Sequence, residues 1–336
     1  MKVAILSPIA WRTPPRLYGP WEQVASNIAE GMVAKGIDVT LFATGDSITE
    51  GKLAYCCDHP YAENPAADVK VNECLHISNL MERAGEFDLI HNNYDFLPLT
   101  YSRLISTPML TTIHGFSSPL IVPVYKKYNG NTHYVSISNS NRHPELIYAA
   151  TVYNGININA FTLCEKPQDY LLFFGRIHPE KGTLEAIKLA IYCGKKLIIA
   201  GLIQDTDYFN TQIRPFIDNK EVLYAGNCGP QQRDELLGNA LALLHLVLFD
   251  EPFGLSVAEA MCCGTPVIAF NRGSMPELIL HEKTGFLVNT LTEAAAAVTQ
   301  LPSISRADCR QRAVSMFSNE KMTEDYLRVY NQILYK

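Results

Sequence analysis

The 336 residues carry a formal net charge of −6, with 18% charged and 47% hydrophobic side chains, a composition that excludes disordered, fibrous and collagen-like chains. Residues 1–155 hold 11 Lys and Arg against 14 Asp and Glu, so each half is near −3 and neither is a basic module for nucleic acid or an anionic membrane. The length exceeds what one hydrophobic core usually supports and predicts two domains of roughly 150 residues each.

The opening MKVAILSPIAW enters an apolar run with no basic-then-apolar leader, and no stretch reaches the roughly 18 apolar residues of a membrane span; a cytoplasmic protein is expected. Val3–Ser7, Glu22–Lys35 and Val39–Thr44 have the lengths and periods of strand, helix and strand. Further strands are expected at Phe87–Asn92, Met109–His114 and Tyr134–Ser138, apolar nearly throughout as strands covered on both faces are. The Asn- and Gly-rich stretch NGININAFTLCEKPQ has neither period and marks a junction near Gly155–Gln168.

A second series opens with YLLFFGRI at Tyr170 and continues with a helix over Thr183–Cys193, the strand KLIIAG, a helical DTDYFNTQIRPFI, and the strands EVLYAG, ALLHLVLF and PVIAF. The expected fold class is α/β, two doubly wound Rossmann-like domains over residues 1–155 and 156–310 that bind ligands at the carboxyl ends of their strands. Residues 311–336 are expected as a helix returning to the first domain. Nine scattered cysteines with no paired C-x-x-C fit reduced, packed thiols rather than a zinc site.

The segment FDEPFGLSVAEAMCCGTPVIAF carries the most chemistry. Pro252 and Gly254 mark a helix start and Gly264 its end. Such a start presents the backbone N–H groups of Phe253, Gly254 and Leu255 and a partial positive charge to an anion or sugar hydroxyl. Glu251 and Glu259 bracket it, too far apart to share a proton but spaced to reach two ends of an extended ligand. GRIHPEKG places Arg176 and Lys181 at the end of a strand, where two cations can clamp a diphosphate. Asp205-Thr206-Asp207 spells D-x-D, yet it stands where a helix begins after KLIIAG and is read as capping, so no metal is expected.

Together with RLYGPWEQV, the His-Gly at 114–115, VYNGI at 152–156, GSMPELI and TGFLV, these motifs resemble the retaining GT-B glycosyltransferases of family 4 (glycosyl transferases group 1) along nearly the whole chain. The resemblance implies two Rossmann-like domains facing across a cleft and transfer of a hexose from a nucleotide diphosphate sugar, UDP-glucose foremost, to a hydroxyl, with no cofactor. It implies that Glu251 contacts the donor sugar, Glu259 binds the ribose, Arg176 and Lys181 meet the departing phosphate, and His114 lies near the donor sugar. Gly19 and Glu22 occupy the family's G-G-x-E position, Gly19 on the donor side. Pro20 and Trp21 depart from that pattern, so Trp21, Glu22 and Asp95 are candidates on the acceptor side, where Trp11, Tyr18 and Phe116 add aromatic faces. A sugar-nucleotide-binding protein without catalysis and a nucleotide-sugar epimerase of related architecture use the same donor features. A dinucleotide oxidoreductase and P-loop chemistry are disfavoured by the absence of G-x-G-x-x-G and G-x4-G-K-[ST].

Overall fold

The computed structural model describes residues 1–335; Lys336, the last residue of the expected returning helix, lies outside them. The chain divides into two compact units, Met1–Gly155 joined by the segment that begins at Asn319, and Ile156–Ser318.

In the first unit seven strands form one parallel sheet: β1 Lys2–Leu6, β2 Asp38–Phe42, β3 Lys52–Ala54, β4 Leu89–Asn92, β5 Met109–Ile113, β6 His133–Ser136 and β7 Tyr148–Thr151, in the order β3-β2-β1-β4-β5-β6-β7. The second unit holds six: β8 Tyr170–Phe174, β9 Lys196–Ala200, β10 Val222–Tyr224, β11 Ala242–His245, β12 Val267–Phe270 and β13 Gly285–Val288, in the order β10-β9-β8-β11-β12-β13, again parallel. The central strands are buried along almost their whole length, β1 as VAIL and β5 as MLTTI, because helices cover both faces of such sheets. Each unit is thus a Rossmann-like domain.

Three strands had no counterpart in the expected set: β3, β7 and β13. All three are sheet edges of three or four residues, paired on one side only, and β3 and β7 are partly exposed, so neither a long apolar run nor a clean alternation announces them. DTDYFNTQIRPFI is not one helix. It breaks into an α-turn at Thr206–Tyr208, a π-helical turn at Phe209–Ile213 and a 3-10 turn at Arg214–Phe216, since Pro215 lacks an N–H and its ring crowds the preceding turn.

The return to the first unit comes at Asn319 rather than at 311. Residues Arg306–Phe317 form one helix capped by Ser305, and its Arg306 and Arg310 donate to carbonyls of Ala240, Gly238 and Phe161 in the second unit. The final helix, Asn319–Leu334, packs on Pro20–Ala34. Its buried Tyr326 and Tyr330 hydroxyls share hydrogen bonds of 2.7 Å with Thr112 and with His91 of β4.

One glycine ties the second sheet's central connections together. Gly182 has φ 75°, and a Cβ there would lie 1.9 Å from the Leu246 carbonyl oxygen just beyond β11, a backbone clash that no rotamer relieves. Gly182→Ala should therefore lower stability by about 2 kcal/mol or more, measured as a drop in the denaturant midpoint; an unchanged midpoint would contradict the close approach.

Candidate functional site

In a doubly wound sheet, loops leaving two neighbouring strands in opposite directions open a crevice at their carboxyl ends. In the second unit these strands are β8 and β11. The loop after β8 carries Arg176 and Lys181, and the loop after β11 carries Glu251 and the entry to the helix Leu255–Cys262. They are held together by Gly182 and by the Leu248 N–H, which donates to the Glu180 carbonyl at 2.7 Å.

Lys181 donates through a short hydrogen bond to Glu251 Oε2, and both side chains are only 14% exposed. The ammonium also lies 4.7 Å from the centre of the Phe249 ring, and two of its three N–H groups remain for other acceptors. His245, the last residue of β11, sits 3.9 Å from the same Glu251 oxygen. Burial lowers its pKa to about 4, with Glu251 opposing and Lys181 adding to the shift. The imidazole is therefore neutral beside a carboxylate–ammonium pair. Arg176 donates to Gln204 Oε1 and lies 3.9 Å from Glu180.

Gly254, at φ 93°, is the N-cap of the helix, and no side chain caps it, so its first-turn N–H groups have no partner within the helix. Glu251 is thus not its cap. The Phe253 ring packs into the core against Phe317. Gly273 and Ser274 position this entry: the Ser274 N–H donates to the Glu251 carbonyl at 3.0 Å and its hydroxyl to the Phe253 carbonyl at 2.6 Å. A Cβ on Gly273, at φ 54°, would stand 2.5 Å from the Glu251 nitrogen. Glu259 is buried, its pKa raised by burial against the pull of Arg233 at 3.2 Å. Asp205 caps the turn that follows, accepting from Tyr208 N–H at 2.8 Å.

In the first unit the corresponding strands are β1 and β4. The connection after β1 is fixed by a buried hydroxyl network: Ser7 with Thr13 at 2.8 Å, the Thr13 N–H on Ser47 at 3.0 Å, and Thr44 with Ser47 at 2.9 Å. Gly19 caps the helix Pro20–Ala34 at φ 153°, and a Cβ there would meet Pro15 at 2.8 Å and Glu22 Oε2 at 3.1 Å. Pro20 takes the first helical position, where its missing N–H costs nothing. Trp21 stacks on His114, centroids 5.5 Å apart. Glu22 is buried and accepts from the Trp11 N–H at 3.1 Å; burial raises its pKa to about 7, the backbone donors opposing.

His114 faces Asn93 Oδ1 at 3.1 Å. A neutral imidazole facing an amide oxygen carries its proton on that nitrogen, so Nε2 donates and the buried Nδ1 has no partner. Burial lowers the His114 pKa to about 3. Asp95 follows β4 with the unusual φ of 102° for a residue other than glycine. It accepts a short hydrogen bond from the Tyr125 hydroxyl, and burial raises its pKa to about 6 against that bond.

The structure therefore brings Arg176, Lys181, Glu251, Phe253, Gly254 and Leu255 to one sheet end, with Glu259 along the helix that Leu255 opens. It sets Gly19, Trp21, Glu22, Asp95 and His114 at the strand ends of the other sheet. Sequence reasoning did not find Arg233, His245 or Gln204, and it held Gly273 and Ser274 only as part of GSMPELI, with no role given. His245 lay inside an apolar run, ALLHLVLF, where an interrupting histidine was the available signal; Arg233 sits in a polar helix with nothing to single it out.

Residues 157–315, nearly the whole second unit, match the family model described as Glycosyl transferases group 1. The chain is 23% identical over 328 residues to the D-inositol 3-phosphate glycosyltransferase of Arthrobacter sp. (strain FB24), covering 78% of this chain and 76% of that one. Among solved structures it is similar to the sucrose-phosphate synthase of Thermosynechococcus elongatus, with TM-score 0.80, 17% identity and 99% of each chain covered. It is also similar to HepE of Anabaena in complex with UDP and glucose, with TM-score 0.75, 20% identity, and 99% and 100% covered. The family model thus covers the second unit, and the likeness to solved structures shows the fold. The fold is GT-B. Among the described residues no helix is long and apolar enough to cross a membrane.

Burial disfavours the imidazolium, so His114 and His245 should stay neutral well below the usual midpoint near 6.5. Their ring C–H resonances should not move between pH 8 and pH 5.5. Titration of either near 6.5 would contradict the buried setting.

Proposed function

We propose that the chain is a retaining hexosyltransferase that moves a glucosyl group from UDP-glucose to an acceptor hydroxyl without a metal ion. The observation that carries this reading is the second unit's switch point. There Lys181 and Arg176 stand at one strand end, while Glu251 and an uncapped helix start stand at the next. A diphosphate needs cations and backbone donors, and a hexose needs a carboxylate that accepts from its hydroxyls. HepE, described as bound to UDP and glucose, supports the choice of donor.

On this reading the bond from the anomeric carbon to the diphosphate breaks with its electron pair on the departing oxygen. The acceptor oxygen bonds to the same face, and its proton passes to that leaving oxygen. Arg176 and Lys181 stabilise the growing phosphate charge, which is the largest service fixed charges render to such a step. Glu251 and the backbone of Phe253 to Leu255 hold the hexose, and Glu259, steadied by Arg233, holds the ribose. His114 orients the sugar, Gly19 lets the backbone approach the donor, and Trp21, Glu22 and Asp95 take the acceptor.

The test is UDP release from UDP-glucose with candidate acceptors, with the anomeric configuration of the product read by NMR. An α-linked product and a loss of about a hundredfold or more in turnover for Arg176→Ala and Lys181→Ala are expected. Near-normal turnover in both variants would overturn their role, a β-linked product the retention, and donor binding without acceptor-dependent release the transferase itself.

A further inference from the structure

The first unit has its own chemistry at the carboxyl end of its sheet, and that chemistry narrows the acceptor. Glu22 lies beside Trp11, whose ring meets Tyr18 edge-on with centroids 6.1 Å apart; both rings are half-buried. The Tyr61 N–H donates to the Ile9 carbonyl at 3.3 Å, and its hydroxyl donates to Glu73 at 3.4 Å. Burial first, then the charges of Glu73 and Glu22, push the Tyr61 pKa up to about 12. Next to Glu22, Trp21 stacks on His114. The His114 Nδ1 and the Asn93 side-chain nitrogen are buried polar atoms without partners, an arrangement that proteins seldom leave to no purpose.

The two cations nearest in the chain each have a partner of their own. Arg16 binds Asp46 at 3.0 Å and Glu63 at 3.1 Å, and Arg12 turns back on the Pro14 carbonyl at 2.9 Å. Burial raises the pKa of Glu22 and of Asp95, and hydrogen-bond donors oppose it. A phosphate or carboxylate brought here gives up hydration to face the carboxyl groups of Glu22 and Glu73 in place of a cation partner. Hydroxyls meet carboxylate acceptors, and the apolar face of a pyranose or cyclitol meets aromatic rings.

We propose that the acceptor is a sugar or polyol bearing no phosphate or carboxylate, received in the first unit by Glu22, Glu73 and Tyr61 against the Trp11–Tyr18 pair. The proposal rests on the transferase reading and specifies its second substrate.

The test is ligand-observed NMR and calorimetry on the full chain with matched probes: glucose and glucose 6-phosphate, mannose and mannose 6-phosphate, myo-inositol and myo-inositol 3-phosphate. UDP-glucose is titrated separately. At least one uncharged member should bind about tenfold or more tightly than its phosphate, and Glu22→Gln and Glu73→Gln should shrink that gap, their folding checked by thermal unfolding. Tighter binding of any phosphorylated member, or of no member while UDP-glucose binds, overturns the proposal. Binding of an uncharged probe without binding of UDP-glucose overturns the choice of donor and leaves this acceptor assignment standing.

Discussion

Two loops that leave adjacent strands of a parallel sheet in opposite directions diverge unless backbone and charge tie them. In the second unit the tie is made at β8 and β11: Gly182 lies against the Leu246 carbonyl, the Leu248 N–H binds the Glu180 carbonyl, and Lys181 reaches Glu251. An ion pair at this degree of burial holds only when each partner finds further support. Here Lys181 gains it from the Phe249 ring, and the Ser274 N–H on the Glu251 main-chain carbonyl fixes the backbone that carries the carboxylate. The cations, the carboxylate and the helix start are consequences of that one junction.

The two units divide the chemistry by charge. The second gathers Arg176, Lys181 and backbone donors, which suit an anionic leaving group. The first gathers Glu22, Asp95 and neutral His114, groups that accept or share hydrogen bonds without imposing positive charge. Asp95 holds a backbone conformation that is costly for any side chain but glycine, and such strain persists where surrounding contacts over-determine it; Tyr125 and Asn92 supply them.

Much of this was legible in the sequence because parallel strands buried on both faces announce themselves as short apolar runs between glycines and helices. The switch-point loops were legible because Gly182 and Gly254 are demanded by backbone geometry, and the charges beside them are few. Edge strands were not legible, since a three-residue strand such as Lys52–Ala54 has one partner and little burial. Nor were the supporting residues. Arg233 and Ser274 act through contacts with Glu259 and Phe253 far away in sequence, and no local period encodes a long-range partner. The end of the second unit was misjudged because two consecutive helices, Arg306–Phe317 and Asn319–Leu334, follow one another with only Ser318 between them while packing on different units.

The most direct test of the account is calorimetric titration of the full chain with UDP-glucose, GDP-mannose and ADP-glucose in the absence of added metal. The account predicts saturable binding of UDP-glucose, lost in Glu259→Ala and weakened in Lys181→Ala. Binding of none of the three, or UDP-glucose affinity unchanged in both variants, would contradict it.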